Sequence, residues 1–238
     1  MEKPVCKVAE EVLMTLSPRP KAVLFDLDGT LIDSAPDIAG ALNDLREEEG
    51  HDPFLLDEVK RMVGEGVHRL IEKAFGETGR TEALADRFVE LYTPRASLRT
   101  VPVEGAFETL DALRKAGVPM AVCTNKPDEA ALAVLADLGL LPYFATVIGG
   151  TSGLPRKPDP AMLLEAARRL GVAAQDCLMI GDALPDVAAA RAGGMPVWVV
   201  RSFYGAIPPD ELDADALMDD LKGLAPRLVS APEPVSGS

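Results

Sequence analysis

Val23-Leu24-Phe25-Asp26-Leu27-Asp28-Gly29-Thr30-Leu31-Ile32-Asp33 sets two carboxylates two residues apart where an apolar run meets a glycine. Residues 22–25 are continuously apolar without helical spacing, the pattern of a strand buried on both faces of a parallel sheet. Asp26 then falls at the strand's carboxyl end, where open α/β sheets bind ligands. Residues i and i+2 share a strand face, so Asp26 and Asp28 lie side by side if the extended geometry persists. One can attack or hold a metal while the other moves a proton. Gly29 permits a turn that aims successive N–H groups at an anion, and Thr30 adds a donor beside it. An Asp-Gly turn after a strand is common in any α/β protein, so the rest of the chain must decide.

Three later segments bear on that decision. Ala121-Val-Cys-Thr124-Asn125-Lys126 carries a small apolar run into a polar end. Pro155-Arg-Lys157-Pro-Asp159-Pro160 sets a lysine before a proline, which biases it to extended geometry, and Asp159 with Pro160 suits a helix start. Cys177-Leu-Met-Ile-Gly181-Asp182 is a second apolar run ending in a carboxylate, with Asp186 four residues on.

With Asp26-Leu-Asp28-Gly-Thr, Thr124-Asn-Lys, Lys157-Pro-Asp-Pro and Gly181-Asp182 plus Asp186 in this order, the chain resembles the haloacid dehalogenase superfamily. Within it, the likeness is to phosphoglycolate phosphatase-like enzymes and covers roughly residues 20 to 222. Ala183 departs from the pattern, since relatives often carry Ser or Thr there. The resemblance implies a Mg²⁺-dependent phosphatase acting on a small phosphorylated metabolite through an aspartyl phosphate, with 2-phosphoglycolate as leading substrate. Asp26 is then the nucleophile, Asp28 the general acid and base, Thr124 and Lys157 catalytic partners of the phosphoryl group, and Gly29, Thr30 and Asn125 binding residues. Asp26, Asp182 and the Asp28 carbonyl would hold the metal, with Asp186 supporting them. Three clustered carboxylates repel unless a cation joins them, and oxygen-only ligands without His or Cys favour Mg²⁺. A phosphosugar phosphatase or phosphoglucomutase shares this pattern. A receiver domain phosphorylated on Asp stands further off, because the Asp26–Asp28 pair and the inserted helices do not fit it, and so does a non-catalytic binding module, because every polar role the chemistry needs is present.

The alternation of segments implies a Rossmann-like α/β fold, with a parallel five-stranded sheet (21–27, 118–124, 145–149, 176–181 and 196–200) and helices on both faces. Helices are expected near 104–116, 127–138, 159–170 and 185–193. Residues 34–97 show helical spacing only, for example Ile38, Ala41, Leu42 and Leu45, and read as an inserted helical cap domain within a core of 20–33 and 98–224. Gly64 and Gly66 interrupt that spacing and, with His68 or Arg69, are candidates to face the leaving group. Residues 1–19 read as an extension with a short helix near 7–16, and 225–238, with three prolines among small residues, as a disordered tail.

The 238 residues carry 24 Lys and Arg against 38 Asp and Glu, a formal net charge of −14. Such a chain is a poor partner for nucleic acid or an anionic membrane. A phosphate site must be made positive locally, within a Debye length of about 8 Å. Cys6, Cys123 and Cys177 show no metal spacing and suit reduced thiols, and no apolar stretch approaches a membrane span, so a cytoplasmic monomer or homodimer is expected.

Overall fold

The computed structural model describes residues 19–76, 80–202 and 204–229. The helix expected near 7–16 and the tail beyond 229 lie outside the described residues. Strands β1 (Ala22–Phe25), β2 (Ile32–Asp33), β3 (Val101–Pro102), β4 (Met120–Cys123), β5 (Thr146–Ile148), β6 (Cys177–Gly181), β7 (Val197–Val200) and β8 (Ala216–Met218) form two sheets. The larger has the order β5-β4-β1-β6-β7-β8, every neighbouring pair parallel. The expected five strands are thus joined by a sixth, β8. Its three residues, Ala-Leu-Met, stand between Asp215 and Asp219-Asp220, so no apolar run announces them.

Every residue of β1 is buried, and its side chains alternate between two apolar layers. Val23 and Phe25 join the layer of helices α5 (Ala106–Lys115) and α6 (Asp128–Asp137), while Ala22 and Leu24 join that of α7 (Ala161–Leu170) and α8 (Leu184–Ala192). Strand order reverses between β1 and β6, so the chain opens a crevice at their carboxyl ends.

Between β2 and β3 the chain forms α1 (Ala35–Glu48), α2 (Leu56–Lys60), α3 (Val67–Phe75) and α4 (Thr81–Tyr92). Their apolar stripes, including Leu42, Leu45, Ile71 and Phe88, continue the first layer of the core. Gly64 and Gly66 lie in the connection from α2 to α3, with Gly66 capping α3 at φ +88°, so the pair separates two helices and does not kink one. The tail boundary also moves, because Leu224–Val229 form a short helix, α9, whose Leu224 and Leu228 are buried in the first layer.

Chain exit and return are paired directly. β2 and β3 are antiparallel, with Ile32 opposite Pro102 and Asp33 opposite Val101, and Val103 N–H donates to Leu31 O at 3.0 Å. Beside this clip the buried Asp37, in the first turn of α1, accepts hydrogen bonds of 2.8 Å from Arg99 N, Thr100 N and Thr100 Oγ1. Burial alone would raise its pKa, but the hydrogen bonds from Arg99 and Thr100 outweigh burial and hold the carboxyl below its ordinary value.

Replacing Asp37 by Ala leaves two backbone donors without their partner and should cost about 2–3 kcal/mol in denaturant unfolding. Because the folded value is depressed, this contribution is present above the unfolded carboxyl's range near pH 4 and fades as pH falls through the folded value. A wild-type minus Asp37→Ala difference that is flat across the acid limb would contradict the assignment.

Candidate active site

Asp26 follows β1, Thr124 follows β4 and Asp182 follows β6, so parallel strands bring three polar groups to one crevice. Asp26 N–H donates to Ile180 O at 2.9 Å, which prolongs the β1–β6 pairing by one residue and fixes the carboxylate beside Asp182. The loop that follows is tight: Gly29 N–H donates to Ile32 O at 2.9 Å and Thr30 N–H to Leu27 O at 3.3 Å. These two amides close the loop, while Thr30 Oγ1 donates to Asp182 Oδ1 at 2.9 Å. Gly29 has φ +88°, and a Cβ there would collide with the Asp182 carboxylate. Gly181 meets Asp186 as closely.

Asp26, Asp182 and Asp186 are all buried, and each offers a carboxylate oxygen within 4.8 Å of the others'. Lys157 Nζ stands between two of them, 2.8 Å from Asp26 Oδ1 and 2.6 Å from Asp186 Oδ1. Asp186 Oδ2 accepts from Asp182 N and Ala183 N at 3.1 Å, as the third residue of α8 does in a capping box. With one oxygen on the ammonium and the other on two amides, Asp186 is committed to orienting its neighbours. Asn125 positions Lys157 in turn: its Oδ1 accepts from Lys157 N and its Nδ2 donates to Lys157 O, both at 3.0 Å. The same Nδ2 reaches Gly64 O at 3.1 Å across to the helical insert.

Burial pushes the Asp26 carboxyl up to about 7 despite Lys157, and the neighbouring Asp186 adds to the rise. Burial, then Asp186 and Asp26, raise Asp182 well above the carboxylate range. Lys157 is held above the ordinary lysine value: burial works to lower it, and Asp186 and Asp26 more than compensate. One ammonium among three buried carboxylates leaves a deficit of positive charge. Asp26 Oδ1 has the Lys157 ion contact but no aligned hydrogen bond. An all-oxygen donor set with that deficit fits a hard divalent cation.

Asp28 points elsewhere. Its carboxylate accepts from Ser34 Oγ at 2.5 Å and from Lys126 Nζ at 2.9 and 3.2 Å. A cavity of about 700 Å³ connects Asp26, Asp28, Thr124 and Asn125 with Gly64, Gly66 and His68 of the insert. Arg69 does not line it, because at 60% exposure it pairs with Glu65 and Glu72 one turn away on its own side of the insert. Arg156 does line it, with Nη1 3.4 Å from His68 Nδ1.

The residue reading missed the site's supports Ser34, Lys126, Ser202 and Tyr204. Ser202 Oγ donates to Asp182 Oδ2 at 2.6 Å, and Tyr204 Oη joins Asp33 and Ala35 N at 2.9 and 2.6 Å. Two of them carry a signal, Lys126 shortly after β4 and Ser202 shortly after β7, in their place at a strand's carboxyl end.

A family model described as haloacid dehalogenase-like hydrolase matches residues 20–194. The chain belongs to that family. It is 41% identical over 215 residues to a phosphoglycolate phosphatase of Rhodospirillum rubrum, covering 86% of this chain and 89% of the relative. A second phosphoglycolate phosphatase, from Agrobacterium fabrum, is 38% identical over 221 residues, 90% and 95% of the two chains. The crystal structure of a predicted phosphoglycolate phosphatase from Haemophilus somnus superposes with a TM-score of 0.82 at 26% identity, covering 88% and 98%. This member is therefore a hydrolase of phosphoric monoesters. No helix among the described residues is long and apolar enough to cross a membrane.

Asp26 and Asp182 have raised values, so the folded, cation-free site holds protons that the unfolded chain has already released above pH 4. Its contribution to stability therefore declines as pH rises from about 4 to 7. A bound divalent cation removes this loss. The rise in melting temperature on replacing chelator by a divalent cation should be larger at pH 7.5 than at pH 5, read by calorimetry. An equal rise at both pH values would sink this account of the carboxylate cluster.

Proposed function

We propose that the protein hydrolyses 2-phosphoglycolate to glycolate and phosphate, with Mg²⁺ and a covalent phosphoryl-Asp26 intermediate. The observation that carries this reading is the buried Asp26 carboxylate, in contact with Lys157 and beside Asp182 at the crevice of the sheet. Curated relatives at 41% and 38% identity bear the name phosphoglycolate phosphatase, which supports the substrate.

Asp26 attacks phosphorus as its bond to the ester oxygen breaks, and the carboxyl of Asp28 gives that oxygen a proton. Asp28, now a carboxylate, then takes a proton from the water that attacks the phosphoryl group and releases Asp26. The carboxylates of Asp26 and Asp182 and the Asp28 carbonyl would hold Mg²⁺, which would supply charge neutralisation for the phosphoryl group. Lys157 offsets negative charge on the nucleophile, and Thr124 Oγ1 is available to the phosphoryl group at the end of β4. Gly64 and Gly66 bring the insert's backbone to the cavity, and residues 34–97 serve as a cap over a core of 20–33 and 98–224. Cap closure excludes bulk water from the intermediate. The cavity of about 700 Å³ has room for a phosphosugar as well, which keeps a phosphosugar phosphatase as the second reading.

Ranking phosphorylated metabolites by kcat/KM with purified protein and Mg²⁺ tests the substrate, and 2-phosphoglycolate should lead. Asp26→Asn should abolish turnover in a protein that still melts cooperatively. Substantial activity in a clean preparation would rule out the covalent route.

Asp28→Asn should lower kcat by roughly 10² to 10⁴ and leave cation affinity less affected, because only its backbone carbonyl is a ligand. Asp182→Ala should chiefly weaken cation binding. Calorimetric titrations giving the opposite order would reverse the two roles.

A further inference from the structure

Lys126 is a buried cation with a single anionic partner among the described residues. Its side chain is 3% exposed, and Nζ contacts both oxygens of Asp28 while lying 4.6 Å from the centroid of the Tyr92 ring. Tyr92, at the end of α4, is itself buried, and its hydroxyl, close to Lys126, has no aligned hydrogen bond among the described residues. Both side chains line the cavity, beside the apolar Ile38, Phe88 and Val89.

The pairing conflicts with the work assigned to Asp28. Its carboxylate is held by Lys126 and Ser34, whereas proton transfer needs it at the ester oxygen. If Asp28 turns away, Lys126 becomes an ammonium in an apolar wall with no counter-charge, which is strongly unfavourable. An anion must replace the carboxylate. Two donors then face that anion: the Lys126 ammonium from the core and the Tyr92 hydroxyl from the insert, whose proton has no aligned acceptor among the described residues. An ammonium and a hydroxyl side by side suit a carboxylate oxygen pair.

We propose that Lys126 and Tyr92 receive the carboxylate of the substrate's leaving group in exchange for Asp28. A carboxylate-bearing phosphomonoester thereby frees Asp28 for proton transfer, and a neutral one leaves it clamped. This rests on the reading given under Proposed function and narrows it to leaving groups that carry a carboxylate near the ester oxygen. Because Tyr92 belongs to the insert and Lys126 to the core, the carboxylate is gripped from both sides, which links recognition to closure. Arg156 is the rival cation. It lines the same cavity and pairs with no carboxylate among the described residues, but its guanidinium is held by Gly150 O at 2.8 Å and lies 3.4 Å from His68 Nδ1.

The test compares kcat/KM for 2-phosphoglycolate and for 2-hydroxyethyl phosphate, its small neutral counterpart, with Mg²⁺ present. The wild type should prefer the carboxylate by on the order of 10² or more. Lys126→Met should bring that ratio close to unity, Tyr92→Phe should lower it about tenfold, and Arg156→Met should preserve it. Melting curves and Mg²⁺ titrations establish folding, and Lys126→Gln serves if the Met variant does not fold. If Lys126 only steadies Asp28, both substrates lose equally and the ratio stays, which overturns the proposal. A ratio that collapses in Arg156→Met and survives in Lys126→Met overturns it too. A wild type without any preference for the carboxylate removes the substrate reading itself, and this assignment with it.

Discussion

Three carboxylates buried around one ammonium are the constraint on which the site depends. Asp26, Asp182 and Asp186 sit close together without solvent, where like charges repel most strongly, and Lys157 neutralises only part of them. Holding that arrangement requires stiff supports. Strands β1 and β6 supply two of the carboxylates through their parallel pairing, and the first turn of α8 supplies the third, whose position is set by two amides. Gly29 and Gly181 are small because carboxylates occupy the space a side chain would take. The deficit of charge fits the cluster to a divalent cation.

The helical insert meets this cluster at a few points. Asn125 clips the backbone of Lys157 and with the same amide touches Gly64, so the residue that orients Lys157 also meets the insert. Its neighbour Lys126 does the same for Asp28, under the ring of Tyr92. Consecutive residues after β4 thus connect the two acidic residues of the first loop to the insert by separate routes. Thr124, one residue earlier, faces the cavity between them.

How much of this was legible in the sequence follows from the range of each interaction. Asp26, Thr124 and Asp182 announce themselves because an apolar run ending in a polar residue is a local pattern, and parallel topology carries such ends to one edge. The helices of the insert are legible from spacing alone. β8 was not, because three residues between aspartates have no period to read, and Ala216 and Met218 are buried only once β7 provides an edge. Arg69 looked available until its helical neighbours Glu65 and Glu72 claimed it. Ser34 and Tyr204 were invisible for the opposite reason. Their partners lie as far as 171 residues away in the chain, and hydroxyls give no local sign of such contacts.

The clip formed by β2 and β3 has an architectural consequence. Since Asp33 and Val101 are direct antiparallel partners, the chain ends of the insert stand only about 5 Å apart. A two-residue turn spans that gap. The insert accordingly leaves and rejoins the core at one point, so its length can change without rethreading the sheet.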